Sequence, residues 1–238
     1  MRDAHTTGET AASPASSKDE ERNYYALAKR VYDLFAPFYD LVAFPLRNVR
    51  RTVAAIAGVD VRSRVLDVAT GTGSQARAFA DKGAEVIGID LSEPMLRVAR
   101  RKHRASNLTF RQADATALPL DNATFDVSCV SFALHEMPAS IRRRAIAEMV
   151  RVTKPGGTVM VVDYGRPPGA FGTALFHLVR VFEREHYVDF VRSDLRAFLE
   201  RSGIDVRDDR SVLRGAVRIV TGARSPIRGT DGSGHPTL

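Results

Sequence analysis

The stretch Arg64-Val65-Leu66-Asp67-Val68-Ala69-Thr70-Gly71-Thr72-Gly73 runs from a short β-branched strand through two glycines into a helix reading from about Ser74 to Asp81. A glycine pair at such a junction lets the backbone turn sharply and come close to a ligand. The glycines alone leave two readings open, because Gly71, Gly73 and Ala76 satisfy the relaxed Gly-x-Gly-x-x-Gly dinucleotide fingerprint. Asp67, four residues before Gly71, favours the other reading. A carboxylate beside the loop repels a pyrophosphate and pairs with a cationic or amino-bearing ligand. No Gly-Lys-Ser/Thr follows, which excludes a Walker loop.

Outward from this stretch, short apolar runs alternate with helical spacing. Ala84 to Asp90 reads as the second strand, Leu108 to Gln112 as the third, Phe125 to Phe132 as the fourth and Thr158 to Asp163 as the fifth. Between them lie a helix from Glu93 to His103, with Ser92 as N-cap and Pro94 in its first turn, and another from Ser140 to Arg151. Lys154-Pro155-Gly156-Gly157 reads as a turn. Ala170 to Arg184 and Ser193 to Arg201 read as helices, and Ile204 to Arg207 and Val212 to Thr221 as the last strands. Strands separated by helices imply a parallel sheet covered on both faces, with ligands beyond the carboxyl ends of its strands.

Those ends carry the candidate site. They read Asp67-Val68-Ala69, Asp90, Asp114, Ser131-Phe132 and Asp163-Tyr164, so four of the five bear an Asp. Asp90 closes the second strand 19 residues after Gly71, where a carboxylate accepts both hydroxyls of a ribose. Asp114-Ala115 follows the third strand, placed for an exocyclic amine. Together these describe a nucleoside with an amino-acid-like tail and no phosphate.

Composition bounds the rest. The chain has 238 residues, 44% hydrophobic and 26% charged, enough for one domain with a substantial core. Lys and Arg total 35 against 28 Asp and Glu, a formal +7, but thirty of the 35 are arginines scattered along the sequence. Scattered arginine reads as solvated surface, and no interleaved basic and aromatic stripe supports nucleic-acid binding. One cysteine, Cys129, forms no intrachain disulfide, and its place in a strand marks it as a small core residue. No Cys/His cluster has metal-ligand spacing, so no metal is expected. The N-terminus has no stretch of signal-peptide length, and no run approaches the roughly 18 apolar residues of a membrane span. The expected compartment is the cytoplasm.

Taken in order, VLDVATGTG (65–73), EVIGIDLSEPML (85–96), ADATALPL (113–120), ATFDVSCVSFALHEMP (123–138) and RVTKPGGTVMVVDY (151–164) resemble the class I S-adenosylmethionine-dependent methyltransferases. The resemblance runs from about Tyr32 to Arg224. It implies an α/β, three-layer Rossmann-like methyltransferase fold, with a seven-stranded, mostly parallel sheet whose last strand is antiparallel. Val31 to Asp40 and the closing Leu213 to Gly222 look most like the ubiquinone/menaquinone biosynthesis C-methyltransferases, whereas the insert from Gly165 to Gly203 does not. The opening segment is also similar to bacterial phosphatidylethanolamine N-methyltransferases.

Carried onto matching positions, the resemblance places Asp67, Ala69, Gly71 and Gly73 around the methionine part of S-adenosyl-L-methionine, Asp90 on the ribose, and Leu91 and Met95 against the adenine. Asp114 takes the adenine amine, with Ala115 beside it, while Ser131 and Phe132 face the sulfonium. The product is S-adenosyl-L-homocysteine. His135 is the candidate general base and Tyr39 a hydroxyl donor. Each also has a plain reading, His135 as a solvated ring opening a helix and Tyr39 as packing. The expected acceptor is a small lipophilic or aromatic molecule, with phospholipid N-methylation and specialised-metabolite methylation as alternatives. An RNA-modifying protein and a non-catalytic cofactor binder are the readings outside that class.

The expected organisation is a disordered tail over 1–22, a methyltransferase domain over 23–224, and a second disordered tail over 225–238. Within the domain, 23–60 forms a helical cap, and 165–203 is either a substrate lid or ordinary packing. A peripheral contact with a membrane surface fits the positive charge, and the assembly is a monomer or a homodimer.

Overall fold

The computed structural model of the chain describes residues 18–26, 46–165, 167–169 and 185–226. Its centre is one seven-stranded sheet: β1 (Arg64–Val68), β2 (Glu85–Asp90), β3 (Leu108–Gln112), β4 (Phe125–Ser131), β5 (Thr153–Tyr164), β6 (Ile204–Val212) and β7 (Val217–Arg224). The order across the sheet is β3-β2-β1-β4-β5-β7-β6, and only β7 runs against its neighbours, as the resemblance implies. The helices are α1 (18–26), α2 (Arg47–Ile56), α3 (Ser74–Ala80), α4 (Glu93–Lys102), α5 (Ala139–Val152), α6 (Glu185–Arg192) and α7 (Leu195–Arg201).

Period-two geometry sorts neighbouring strand residues onto opposite faces. Leu66, Ile87, Val130 and Val161 enter the core beneath α5, α6 and α7, whereas Val65, Val86, Cys129 and Met160 enter the core beneath α2, α3 and α4. Both faces are therefore buried, and the central strands read as nearly continuous apolar runs. Local chemistry fixes the helix starts. Ser92 Oγ accepts the Met95 N–H at 3.3 Å to begin α4, and Asp194 Oδ1 accepts the Ala197 N–H at 3.0 Å to begin α7.

Several sequence expectations are corrected. Residues 18–22 belong to α1, because the charged run ahead of Tyr24-Tyr25 is amphipathic and docks on the domain. The rest of the expected tails, apart from 225 and 226, lies outside the described residues. Lys154-Pro155-Gly156-Gly157 is an excursion inside β5: Phe125 pairs with Thr153 and Val127 with Thr158, so the four residues are looped out between two registers. The final strand starts at Val217 rather than Val212. Leu213, Arg214 and Gly215 all have positive φ (50°, 57° and 91°), and they turn the chain from a longer β6 into β7.

The helix expected over Ala170 to Arg184 and most of the cap, 27–45, lie outside the described residues. The described end of the expected lid is packed core: α6 and α7 bury Tyr187, Phe190, Leu195 and Leu199.

Candidate functional site

The strand order reverses between β1 and β4, and at the carboxyl ends of these strands the chain opens a cleft of ≈ 860 Å³, counting its open mouth. Two non-glycine residues there adopt left-handed backbone: Ala69 after β1 and Phe132 after β4, each with φ 54°. Such residues cost of order 1 kcal/mol and persist where their surroundings hold them. Here the Thr70 N–H donates to Ile89 O at 2.8 Å, and the Phe132 N–H to Val162 O at 2.8 Å. Both kinks are locked to a neighbouring strand, and both residues line the cleft.

Asp90 sits at the centre. Its Oδ2 accepts the Gly71 N–H at 2.7 Å and its Oδ1 the Ser92 N–H at 2.9 Å, so one carboxylate bridges the loops after β1 and β2. Leu91 and Met95 lie beside it in the wall. At the end of the adjacent strand, Asp114 Oδ1 accepts the Thr116 N–H and hydroxyl, each at 2.8 Å, with Ala115 alongside. The loop bearing Asp114 is pinned from α5: Glu148 Oε2 accepts the Leu118 N–H at 2.7 Å, while Arg151 donates to the carbonyls of Leu118 and Leu120. Ser131 completes the strand-end wall.

Asp67 and Gly73, expected at the ligand, lie below the floor. Gly73 (φ 78°) precedes α3 and packs on Phe110, where an added Cβ would stand 2.5 Å from the ring. Asp67 is 1% exposed; its Oδ2 takes the Thr70 hydroxyl at 2.5 Å, and its Oδ1 has no hydrogen-bond partner. Burial pushes its pKa up to about 7 from 3.8, against the lowering influence of the Thr70 hydroxyl and Arg50.

His135 is likewise not in the wall, nor is it solvated. It is 2% exposed within a 3-10 turn over Leu134–Glu136. Its Nδ1 lies 2.7 Å from Oδ1 of the buried Asp163, whose Oδ2 accepts the His135 N–H at 3.2 Å. Tyr164 and Tyr187 meet the ring edge-on at 4.7 and 6.1 Å. The other ring nitrogen, Nε2, stands 3.7 Å from Oε1 of Glu136, and it is Glu136 that lines the cleft. The buried Arg142 holds the turn by donating to Leu134 O at 3.0 Å and Met137 O at 2.9 Å, with its guanidinium over the Phe190 ring. Tyr39 lies outside the described residues.

Sequence reasoning missed Tyr24 and Tyr25, which bring α1 into the wall, as well as Met137 and Ile141. The signal present was Glu21-x-x-Tyr24-Tyr25, one helical face: Glu21 pairs with Arg144 at 2.9 Å, and the Tyr25 hydroxyl reaches Thr116 Oγ1 at 3.3 Å. Tyr24 also senses the field of the cleft. Its phenol pKa is raised well above the ordinary value, first by burial and then by Glu136, Tyr25, Asp90 and Asp114. A chain of net charge +7 thus holds a locally anionic, otherwise apolar cleft, suited to a cation with an apolar body.

Among the described residues no group of His, Cys, Asp and Glu is arranged to hold a metal, and no helix is long and apolar enough to cross a membrane. A family profile described as a methyltransferase domain matches residues 65–157. A demethylmenaquinone methyltransferase from Renibacterium salmoninarum is 40% identical over 149 residues, covering 60% of this chain and 61% of that protein. Its counterpart from Thermus thermophilus is 38% identical over 152 residues, covering 60% of this chain and 68% of that one. The chain spans between about half and two thirds of the length of the curated relatives it matches. The crystal structure of a cyclase, SpnF, superposes with a TM-score of 0.67 at 20% identity, over 83% of this chain and 95% of that one. At that identity the likeness is one of fold alone.

Proposed function

The chain belongs to the S-adenosylmethionine-dependent methyltransferases, and from that premise we propose that it binds S-adenosylmethionine and methylates a ring carbon of a lipophilic hydroxylated aromatic acceptor of the demethylmenaquinol type. The observation that carries the reading is the anionic cleft at the strand-order reversal, lined by Asp90 and Asp114 from the ends of adjacent strands, with the Asp67 carboxyl buried nearby. The residues fit the cofactor. Asp90 suits a ribose diol, Asp114 an exocyclic amine, and the unpartnered Oδ1 of Asp67 answers a positive charge above the floor. When bound, S-adenosylmethionine supplies an electrophilic methyl group on a cationic sulfur.

This chain's own part is positioning and proton management. Phe132, Met137 and Ile141 give the acceptor an apolar wall, and Tyr24 and Tyr25 exclude water on the α1 side. Glu136 takes the acceptor's hydroxyl proton, which raises electron density on the ring carbon that attacks. His135, fixed by Asp163, packs behind Glu136, its Nε2 3.7 Å from Oε1. As the methyl–carbon bond forms, the methyl–sulfur bond would break with its electron pair left on the sulfur; the ring carbon's proton would leave to solvent while Glu136 returns the proton it took to the ring oxygen, restoring aromaticity.

The test is methyl transfer from radiolabelled S-adenosylmethionine, run in host lysate and with purified demethylmenaquinol. Label in the organic extract is expected with the wild type, together with at least about 100-fold weaker cofactor binding by calorimetry for Asp90→Ala. Label confined to RNA or protein overturns the acceptor class, and cofactor affinity unchanged in Asp90→Ala overturns the site.

A further inference from the structure

A second cleft, ≈ 1480 Å³ with its open mouth counted, lies between α2, α3 and the end of α4. It shares no lining residue with the first. Arginines and lysines far apart in sequence converge there: Arg47, Arg50 and Arg51 from α2, Arg77 and Lys82 from α3 and the turn after it, and Lys102 from the end of α4. These six fixed cations face a single carboxylate, Asp81, which Arg77 already engages at 2.6 Å. Elsewhere many arginines are matched, as Arg100 is by Glu93, Arg144 by Glu21, Arg151 by Glu148 and Arg218 by Asp209, and those among the described residues that are not, such as Arg97, Arg111 and Arg201, lie outside this lining. In the cleft, Arg47, Arg51 and Lys82 make no ion pair among the described residues, and all three are exposed.

Like charges held together by three packed helices repel one another, and a concave wall raises the local potential above that of a flat surface. The arrangement is relieved by an anion carrying more than one negative charge. The lining argues for its class. Arginine forks match phosphate oxygens, and Ser74 lines the cleft with a hydroxyl; the lining has no Phe, Tyr or Trp, and its one ring, His103, already lies against Phe110 at 6.5 Å, which disfavours the stacked bases of single-stranded nucleic acid.

We propose that this cleft is a binding site for phosphate-bearing anions, either the headgroups of anionic phospholipids or a soluble phosphate ester. The site stands apart from the methyl-transfer reading, since it involves none of the residues assigned to the cofactor or the acceptor.

The probes are phosphatidylcholine vesicles with and without phosphatidylglycerol, followed by co-sedimentation, and inorganic pyrophosphate, followed by calorimetry. They are applied to the wild type and to the triple variant Arg47→Glu, Arg51→Glu, Lys82→Glu. Wild-type binding that depends on phosphatidylglycerol, and falls about 100-fold in the triple variant, identifies a headgroup site. Pyrophosphate binding without vesicle binding, again lost in the variant, identifies a soluble ester. Cofactor affinity stays unchanged in either case. Should charge reversal impair folding, Lys82→Ala alone is expected to weaken the same binding about fivefold, and raised salt to abolish it. Binding of neither probe, equal binding by all variants, or tighter binding of a single-stranded RNA overturns the proposal.

Discussion

The Nδ1 of His135 and the Oδ1 of Asp163 stand 2.7 Å apart, both side chains almost wholly buried, and the opposite ring nitrogen faces Glu136 at the cleft wall. The carboxylate fixes the ring's orientation, and with Nδ1–H donating to it, Nε2 is turned toward Glu136. On the proposed reading Glu136, which lines the cleft, meets the acceptor, with His135 and Asp163 as positioning residues. Glu136→Gln is expected to lower kcat about 100-fold with cofactor affinity within twofold. His135→Gln is expected to lower kcat less, and to shift the acidic limb of the pH–rate profile because Glu136 loses its neighbour. A Glu136→Gln enzyme with wild-type kcat removes the assignment, and an unshifted profile in His135→Gln reduces that residue to packing.

Asp67 gives a pH signature. Its folded-state pKa of about 7 stands above the 3.8 of an unfolded Asp. Its contribution to stability is therefore fully present below about pH 4 and is lost as pH rises toward 7, by at most about 4 kcal/mol. In urea unfolding, Asp67→Asn is expected to gain stability relative to the wild type between pH 4 and pH 7.5. A cationic ligand overhead favours the ionised carboxyl, so binding near pH 6.5 is expected to release a fraction of a proton, measurable as a dependence of calorimetric heat on buffer. Parallel stability curves, or no proton release, contradict this.

Gly71 and Gly73 separate binding from folding. Both have positive φ, but a Cβ on Gly73 would strike Phe110, whereas a Cβ on Gly71 meets nothing within 4 Å. Gly73→Ala is expected to cost about 2–3 kcal/mol in a thermal melt. Gly71→Ala costs only about 1 kcal/mol of backbone strain and chiefly weakens cofactor affinity, since its Cβ enters the cleft. Equal melting losses in the two variants contradict the distinction.

The strand-end carboxylates were legible because strand and helix periods are local, and a parallel sheet converts strand ends into neighbours. Nine of the expected cofactor positions, from Ala69 to Phe132, line the cleft for that reason. His135 and Glu136 were not separable in sequence. Three residues per turn in a 3-10 segment point adjacent side chains about 120° apart, and only the packing of Tyr164, Tyr187 and Arg142 decides which one turns inward. Tyr24 and Tyr25 were missed because α1 reaches the cleft through contacts more than 90 residues distant in sequence. The arginines of the second cleft looked scattered for the same reason. The turn at Leu213–Gly215 was hidden because two of its three positive-φ residues are not glycine.

Ala69 and Phe132 carry a consequence for how the sequence can drift. Each holds a backbone angle that β-branched residues shun, at the point where the cleft needs its wall to bend. Selection for robustness favours relaxing those angles, whereas selection for ligand fit favours keeping them. These two positions are therefore where stability and activity trade against each other, and where a heat-resistant variant of this protein would lose its catalytic edge first.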